Sequence, residues 1–223
     1  MDSVEGRELR LVADVPAAFV EVVQAAFAAS EGTFRLALSG GETARACYEA
    51  LAVAGGIDWS RVECFLGDER CVPPEDDDAN QKMVRAALTD LVRPAGFYPM
   101  DCGDPAGYER LLERAGALDL VHLGLGPDGH TASLFPASAG LAAPASALVV
   151  RNVDESGRNK HPRLSFTLGQ IARSRLAVFT VSGSSKAKAL AAVLAGEDLP
   201  AGRVRAGRVL FLCDEEAMSE VGR

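Results

Sequence analysis

Asp128 and His130 flank Gly129 in the run GLGPDGHTASLFP, a spacing that can set a carboxylate and an imidazole into one pocket. Histidine titrates near neutrality, so His130 suits a general base that draws a proton from water. A surface histidine in a turn is the plain alternative. Gly124, Gly126 and Pro127 crowd the same short loop, and that concentration favours a site. Three other segments carry residue types that packing does not require. SGGET places Ser39, Gly40 and Gly41 ahead of a helix starting near Thr43. Paired glycines let a ligand approach the backbone, and the N–H groups of a helix start favour an anion such as phosphate. A tight turn capped by Ser39 or Thr43 would leave the same trace. In FLGDERCVP, the charged residues Asp68, Glu69 and Arg70 follow an apolar run, and a solvated loop with an internal ion pair accounts for them in isolation. In VSGSSKAKAL, Lys186 falls in the first turn of a helix, where a cation opposes the dipole by roughly 0.3–1 kcal/mol. A bound anion would remove that conflict, which a solvent-extended lysine would also tolerate.

The remaining candidates are weaker. His122 lies inside an apolar strand and reads as a hydrogen-bonded core residue. His161 sits in the basic stretch RNKHPRLSF with Arg158, Lys160 and Arg163, and either lines a site or belongs to a solvated loop. Three histidines at these spacings form no recognisable metal site. Cys71 invites a nucleophile reading, yet no histidine is near it in sequence, and an inert or occasionally oxidised thiol fits better. The five cysteines are scattered and never form a CxxC pair, so they read as reduced thiols in a reducing compartment.

Each of the four segments must be held at the end of a strand. Apolar runs predict strands at Leu9–Val12, Phe34–Leu38, Val62–Leu66, Leu120–Leu125, Leu148–Val153, Leu164–Leu168, Leu176–Val181 and Val209–Cys213. Helices are predicted at Pro16–Ala29, Thr43–Ala54, Ala79–Val92, Pro105–Ala115 and Lys186–Leu194, with a short one near Glu215–Ser219. The acidic run Glu75–Asp78 is placed to open the third of these helices. Almost continuously apolar strands alternating with helices indicate an α/β fold: a doubly wound, mainly parallel, Rossmann-like sheet with helices on both faces. In such sheets ligands bind outside the carboxyl ends of the strands, where all four segments fall. The 223 residues suit one α/β domain, with room for a small lobe.

Lys and Arg number 23 against 31 Asp and Glu, a net charge of −8 that repels nucleic acid and acidic membranes alike. A local cluster of cations can still draw a small anionic substrate. No apolar run approaches the roughly 18 residues of a spanning helix, and the charged N-terminus MDSVEGRELR lacks a signal-peptide core. A cytoplasmic location is the expectation; the oligomeric state is not readable.

In this order along the chain, SGGET, GDERCVPPEDDDAN, GLGPDGHTASLFP, HPRLSFTLGQI and VSGSSKAKAL are similar to the motif series of the 6-phosphogluconolactonase family. The resemblance runs from about Leu36 to Leu190, and DGHTASLFP is its most specific part. Ala44 stands where the family pattern has proline, Ala79 where it has serine, and Ser165–Phe166 depart from its threonine-rich strand. The resemblance implies hydrolysis of a phosphorylated sugar δ-lactone in the oxidative pentose phosphate pathway, with no cofactor and no metal. It implies His130 as base, Asp128 orienting it or holding a substrate hydroxyl, and Asp68 helping to position the sugar. Ser39, Gly40, Gly41 and Thr43 would cradle the phosphate, with Arg70, Arg163 and Lys186 supplying positive charge. An amino-sugar phosphate deaminase on the same fold is the nearest rival, and the GDER and ASLFP segments favour the lactonase. A phosphosugar sensor or a silent binding protein is the rival of another class; it would not need both Asp128 and His130.

Overall fold

The computed structural model describes residues 2–4 and 7–222, so part of the N-terminal run read above for a leader lies outside the described residues. In chain order the elements are β1 (Asp2–Val4), β2 (Arg7–Leu11), α1 (Val15–Ala28), β3 (Phe34–Leu38), α2 (Glu42–Val53), β4 (Val62–Leu66) and β5 (Asp68–Arg70). Then α3 (Asn80–Val84) runs through a π-helical turn, Arg85–Thr89, into α4 (Asp90–Val92). They are followed by β6 (Gly96–Tyr98), α5 (Pro105–Ala115), β7 (Leu120–Gly124), β8 (Val149–Asn152), β9 (Arg163–Phe166), α6 (Leu168–Ala172), β10 (Leu176–Val181), α7 (Ala187–Leu194) and β11 (Arg208–Cys213).

Eight strands form one sheet in the order β1-β2-β11-β10-β7-β3-β4-β6. Every pairing in it is parallel except β1 with β2. Its central strands are mostly apolar because both of their faces are covered; all six residues of β10 are buried. Local sequence fixes the helices that cover them. Asp14 caps α1 by accepting the Ala17 N–H at 2.9 Å, Pro16 sits in its first turn, and Val15, Phe19, Val22, Val23 and Phe27 form its buried face. Asp104 and Pro105 start α5 in the same way, and Gly116 at φ 76° ends it.

From β3 the chain turns to β4 on one side of the sheet and later returns to β7 on the other, so β3 and β7 flank the topological switch point. Their ladder is short, two register pairs ending at Ala37 opposite Val121, whereas β10 pairs with β7 as far as Gly124. The carboxyl ends of β3 and β7 therefore part, and a crevice opens between them.

A second, antiparallel sheet, β5-β9-β8, covers that crevice. It overturns the solvated-loop reading of Asp68–Arg70: Asp68 and Glu69 are buried, and Asp68, Glu69 and Arg70 pair with Ser165, Leu164 and Arg163. A partner strand about a hundred residues away decides their state, and no local pattern carries it. Four other expectations are corrected. Residues 164–168 are part strand and part helix, because Thr167 caps α6 by accepting the Gln170 N–H. Residues 215–219 form turns rather than a helix. The carboxylate at the start of α3 is Glu69, which accepts the N–H groups of Asn80 and Gln81, and not the 75–78 run. The reduced-thiol reading fails at two cysteines: the fold brings Cys71, just past β5, to Cys102, past β6, and they form a disulfide. Cys47, Cys64 and Cys213 are free and buried, and desolvation pushes each thiol up to about 12.

Candidate active site

The crevice encloses about 310 Å³ at the carboxyl ends of β3, β4, β7 and β10. Of the residues singled out from sequence, Ser39, Gly40, Gly41, Thr43, Asp68, Arg70, His130, Arg163 and Lys186 all line it. Asp128 does not; it stands behind His130.

The loop after β7 holds that pair. Asp128 Oδ1 accepts the His130 backbone N–H at 3.1 Å and sits 2.6 Å from the ring Nδ1. Gly129, at φ 83°, makes the turn that brings the two together. The contact holds the Asp128 carboxyl below its ordinary value, against the raising effect of burial. With Nδ1–H given to the carboxylate, Nε2 is the lone-pair nitrogen, and it has no protein partner among the described residues. The ring rests against Phe135, with centroids 5.2 Å apart. Ala132, which lines the cavity two residues on, sits at φ 47°, a left-handed backbone that L residues rarely adopt.

The cations come from three elements. Arg70 on β5 and Arg163 on β9 are direct register partners, a like-charge pair that costs stability unless something anionic lies between them. Arg70 Nη1 donates to the Asp78 carbonyl at 2.6 Å, but the buried Nε of both arginines has no partner. Desolvation lowers the Arg163 guanidinium from its ordinary value, with Asp68 opposing that shift. Lys186 ends a 3-10 turn and leads into α7; desolvation lowers its ammonium too, and Asp128 pulls the other way. Three cations thus face one small space, and burial disfavours the charge of two of them, Arg163 and Lys186.

The remaining residues hold these groups in place. Asp68 Oδ2 accepts the Ser133 hydroxyl at 2.6 Å, and the Asn80 amide donates to the Asp68 carbonyl at 2.9 Å. Glu69 accepts three backbone N–H groups, from Arg70, Asn80 and Gln81, yet desolvation outweighs them and raises its carboxyl. The SGG loop carries no side-chain cap: Gly41, at φ 101°, occupies the cap position of α2, so neither Ser39 nor Thr43 spends its hydroxyl there. Asp214, after β11, fixes the loop before Lys186 by accepting from Ser182 Oγ and the Gly183 N–H. His122 is a core residue, as its apolar strand predicts. His161 lies outside the cavity lining and contacts Asp78 at 2.8 Å. Sequence reading missed the supporting roles of Glu69, Asn80, Ser133 and Asp214. Each carried a signal: Glu69 and Asp214 as carboxylates just beyond an apolar strand, Asn80 and Ser133 as members of the motif segments. Among the described residues, no group of three or more His, Cys, Asp and Glu could hold a metal ion.

Fold and site together define an α/β protein with a cation-rimmed, histidine-bearing cavity at the switch point of a mainly parallel sheet. The chain belongs to the glucosamine-6-phosphate isomerase/6-phosphogluconolactonase family, which matches residues 7–212. It is 39% identical to the 6-phosphogluconolactonase of Synechocystis, over 85% of each chain. It is 37% identical to that of Mycobacterium leprae, over 89% of each. Among solved structures, the Thermotoga maritima 6-phosphogluconolactonase superposes with a TM-score of 0.85 at 27% identity, over 94% of this chain and all of that one. A monomeric glucosamine-6-phosphate deaminase shares the fold, with a TM-score of 0.82 at 17% identity. No described helix is long and apolar enough to cross a membrane.

Proposed function

We propose that this chain hydrolyses 6-phospho-D-glucono-1,5-lactone to 6-phosphogluconate, the second step of the oxidative pentose phosphate pathway, with His130 as general base. One observation carries the assignment: Asp128 engages Nδ1 of His130, so the ring enters a cation-rimmed cavity with Nε2 as a base. Nε2 takes a proton from water as the water oxygen bonds to the lactone carbonyl carbon. When the bond from that carbon to the ring oxygen breaks, the imidazolium returns the proton to the departing oxygen, which becomes a hydroxyl. Asp128 holds the tautomer and stabilises the transient imidazolium. Arg70, Arg163 and Lys186 take the phosphate with the N–H groups of the SGG loop and the Ser39 and Thr43 side chains, and Asp68 helps to orient the sugar. A phosphate dianion there would relieve the opposition of the two arginines.

The test is hydrolysis of freshly generated 6-phosphogluconolactone, corrected for spontaneous opening, by wild type and His130→Ala. Rapid wild-type turnover that falls about 100- to 10,000-fold in the variant is expected. Activity surviving in the variant would move the base elsewhere. Ammonia release from glucosamine 6-phosphate in place of lactone hydrolysis would overturn the assignment.

A further inference from the structure

The loop that carries the base is fastened from outside. Within it, the Gly126 N–H donates to the His130 carbonyl at 2.8 Å, and the Gly129 N–H donates to the Gly126 carbonyl at 3.0 Å. Neither bond holds the peptide that joins Gly129 to His130. That peptide is the hinge of the pair: its N–H donates to Asp128 Oδ1, the same oxygen that engages the imidazole Nδ1. Gly129 has no Cβ to restrict rotation beside it, so local forces alone let the peptide flip, and a flip turns the N–H away from Asp128.

A segment far along the chain, between α7 and β11, opposes that flip. The Ala201 N–H donates to the Gly129 carbonyl at 3.0 Å, so the peptide is held at its oxygen by Ala201 and at its nitrogen by Asp128. Leu199 packs on the glycine itself: a Cβ there would lie 2.8 Å from Leu199 Cδ1 and 3.0 Å from its Cβ. The segment is anchored in turn. Pro200 and Ala201 are buried in a 3-10 turn, Pro200–Arg203, and Arg7, buried on β2, donates to the Gly202 carbonyl. None of these residues lines the cavity.

We propose that Leu199 and Ala201 are positioning residues of the hydrolytic site: together they lock the Gly129–His130 peptide in the orientation that lets Asp128 hold His130 Nδ1 and leaves Nε2 to act as base. The kinetic consequence rests on the function proposed above; the lock itself does not. It acts on the base and touches no part of the phosphate site, so its loss falls on kcat and not on KM.

The ring tautomer tests the lock directly. Two-bond ¹H–¹⁵N spectra of the intact protein at neutral pH, with His130→Gln to assign the signal, should show His130 as a single Nδ1–H form in wild type. Leu199→Ala should give a mixture of both tautomers while circular dichroism stays that of wild type, and Leu199→Met should restore the single form. The Nε2–H form in wild type, or an unchanged single tautomer in Leu199→Ala, would overturn the proposal whatever the substrate is. In kinetics, Leu199→Ala should lower kcat about tenfold with KM within twofold, a partial release set against the roughly 100-fold that a misplacement of about 1 Å costs. In an Asp128→Ala background the same substitution should change kcat less than about twofold, because the pair it positions is already gone. Replacing Ala201 by L-lactic acid in cell-free synthesis exchanges only its N–H for an ester oxygen, and should lower kcat to the same degree. An unchanged kcat, a loss confined to KM, or an equal loss with and without Asp128 would overturn the proposal and leave Leu199 a stabiliser of the fold. A wild type that turns over no lactone would strike the proposed function alone, and the tautomers of Leu199→Ala would still decide the lock.

Discussion

A missing side chain positions the base as firmly as any hydrogen bond. A Cβ at Gly126 would lie 2.1 Å from His130 Nδ1, so the imidazole can reach Asp128 only because residue 126 has none. Its φ lies outside the positive range, so alanine would meet no backbone penalty there and act through the clash alone. Gly126→Ala should fold like wild type by circular dichroism but lose about 100-fold in kcat, the scale of effect that a misplacement of about 1 Å produces. Activity within a few-fold of wild type would show that the ring has another productive position. The same logic places Gly40, where a Cβ would overlap the Asn80 side-chain oxygen at 2.0 Å. Arg70 and Arg163 show the opposite economy: two guanidiniums directly across a ladder oppose each other in the free protein.

Elements were legible where burial is symmetric. Phe34–Leu38, Val62–Leu66 and Leu176–Val181 have the same bounds in sequence and structure, because a parallel strand covered on both faces is mostly apolar, broken here by a single polar residue in each, Arg35, Glu63 and Thr180. The motif loops at their ends were legible for the complementary reason, that polar and glycine residues there serve no core. The small sheet was not legible. In β5 a charged triplet becomes a strand only through β9, and in β6 three residues, Gly96–Tyr98, give no periodicity to read. The disulfide was hidden likewise, since its partners are 31 residues apart and adjacent only in the fold. Closing a loop of that size stabilises by about 4 kcal/mol, or roughly 8–16 °C of melting temperature for a chain this long. A double variant, Cys71→Ser with Cys102→Ser, should melt lower by that interval and ignore reductant. Wild type should drop to match it when reduced, and a wild type indifferent to reductant would show the bond adds no stability.

Across the whole molecule, charge and burial work against each other in one place. A chain of net charge −8 gathers three cations at its switch point, and sinks a neutral histidine into the sheet beneath them. His122 binds a proton below about 6.5 when unfolded but only near 3 when folded. Between those values the unfolded chain holds one more proton than the native one, so stability falls as pH falls, by about 1.4 kcal/mol per pH unit. Above 6.5 both states are neutral and the contribution is level; below about 3 both are charged and it levels again. The carboxylates held low, Asp128 and Asp154 among them, add their losses further down, as pH falls through and below the ordinary value of 3.8. From pH 6.5 to 4.5 those losses are small, and Glu69, whose raised carboxyl acts in the opposite sense there, is common to wild type and a His122 variant and cancels in their difference. His122→Gln keeps a hydrogen-bonding side chain at that position but removes the titration. Denaturant unfolding of both proteins should give a stability difference that shifts by about 2 kcal/mol in favour of the variant between pH 6.5 and pH 5. A difference that stays constant with pH would mean that the imidazole can charge within the fold, and that the sheet beneath the site admits water.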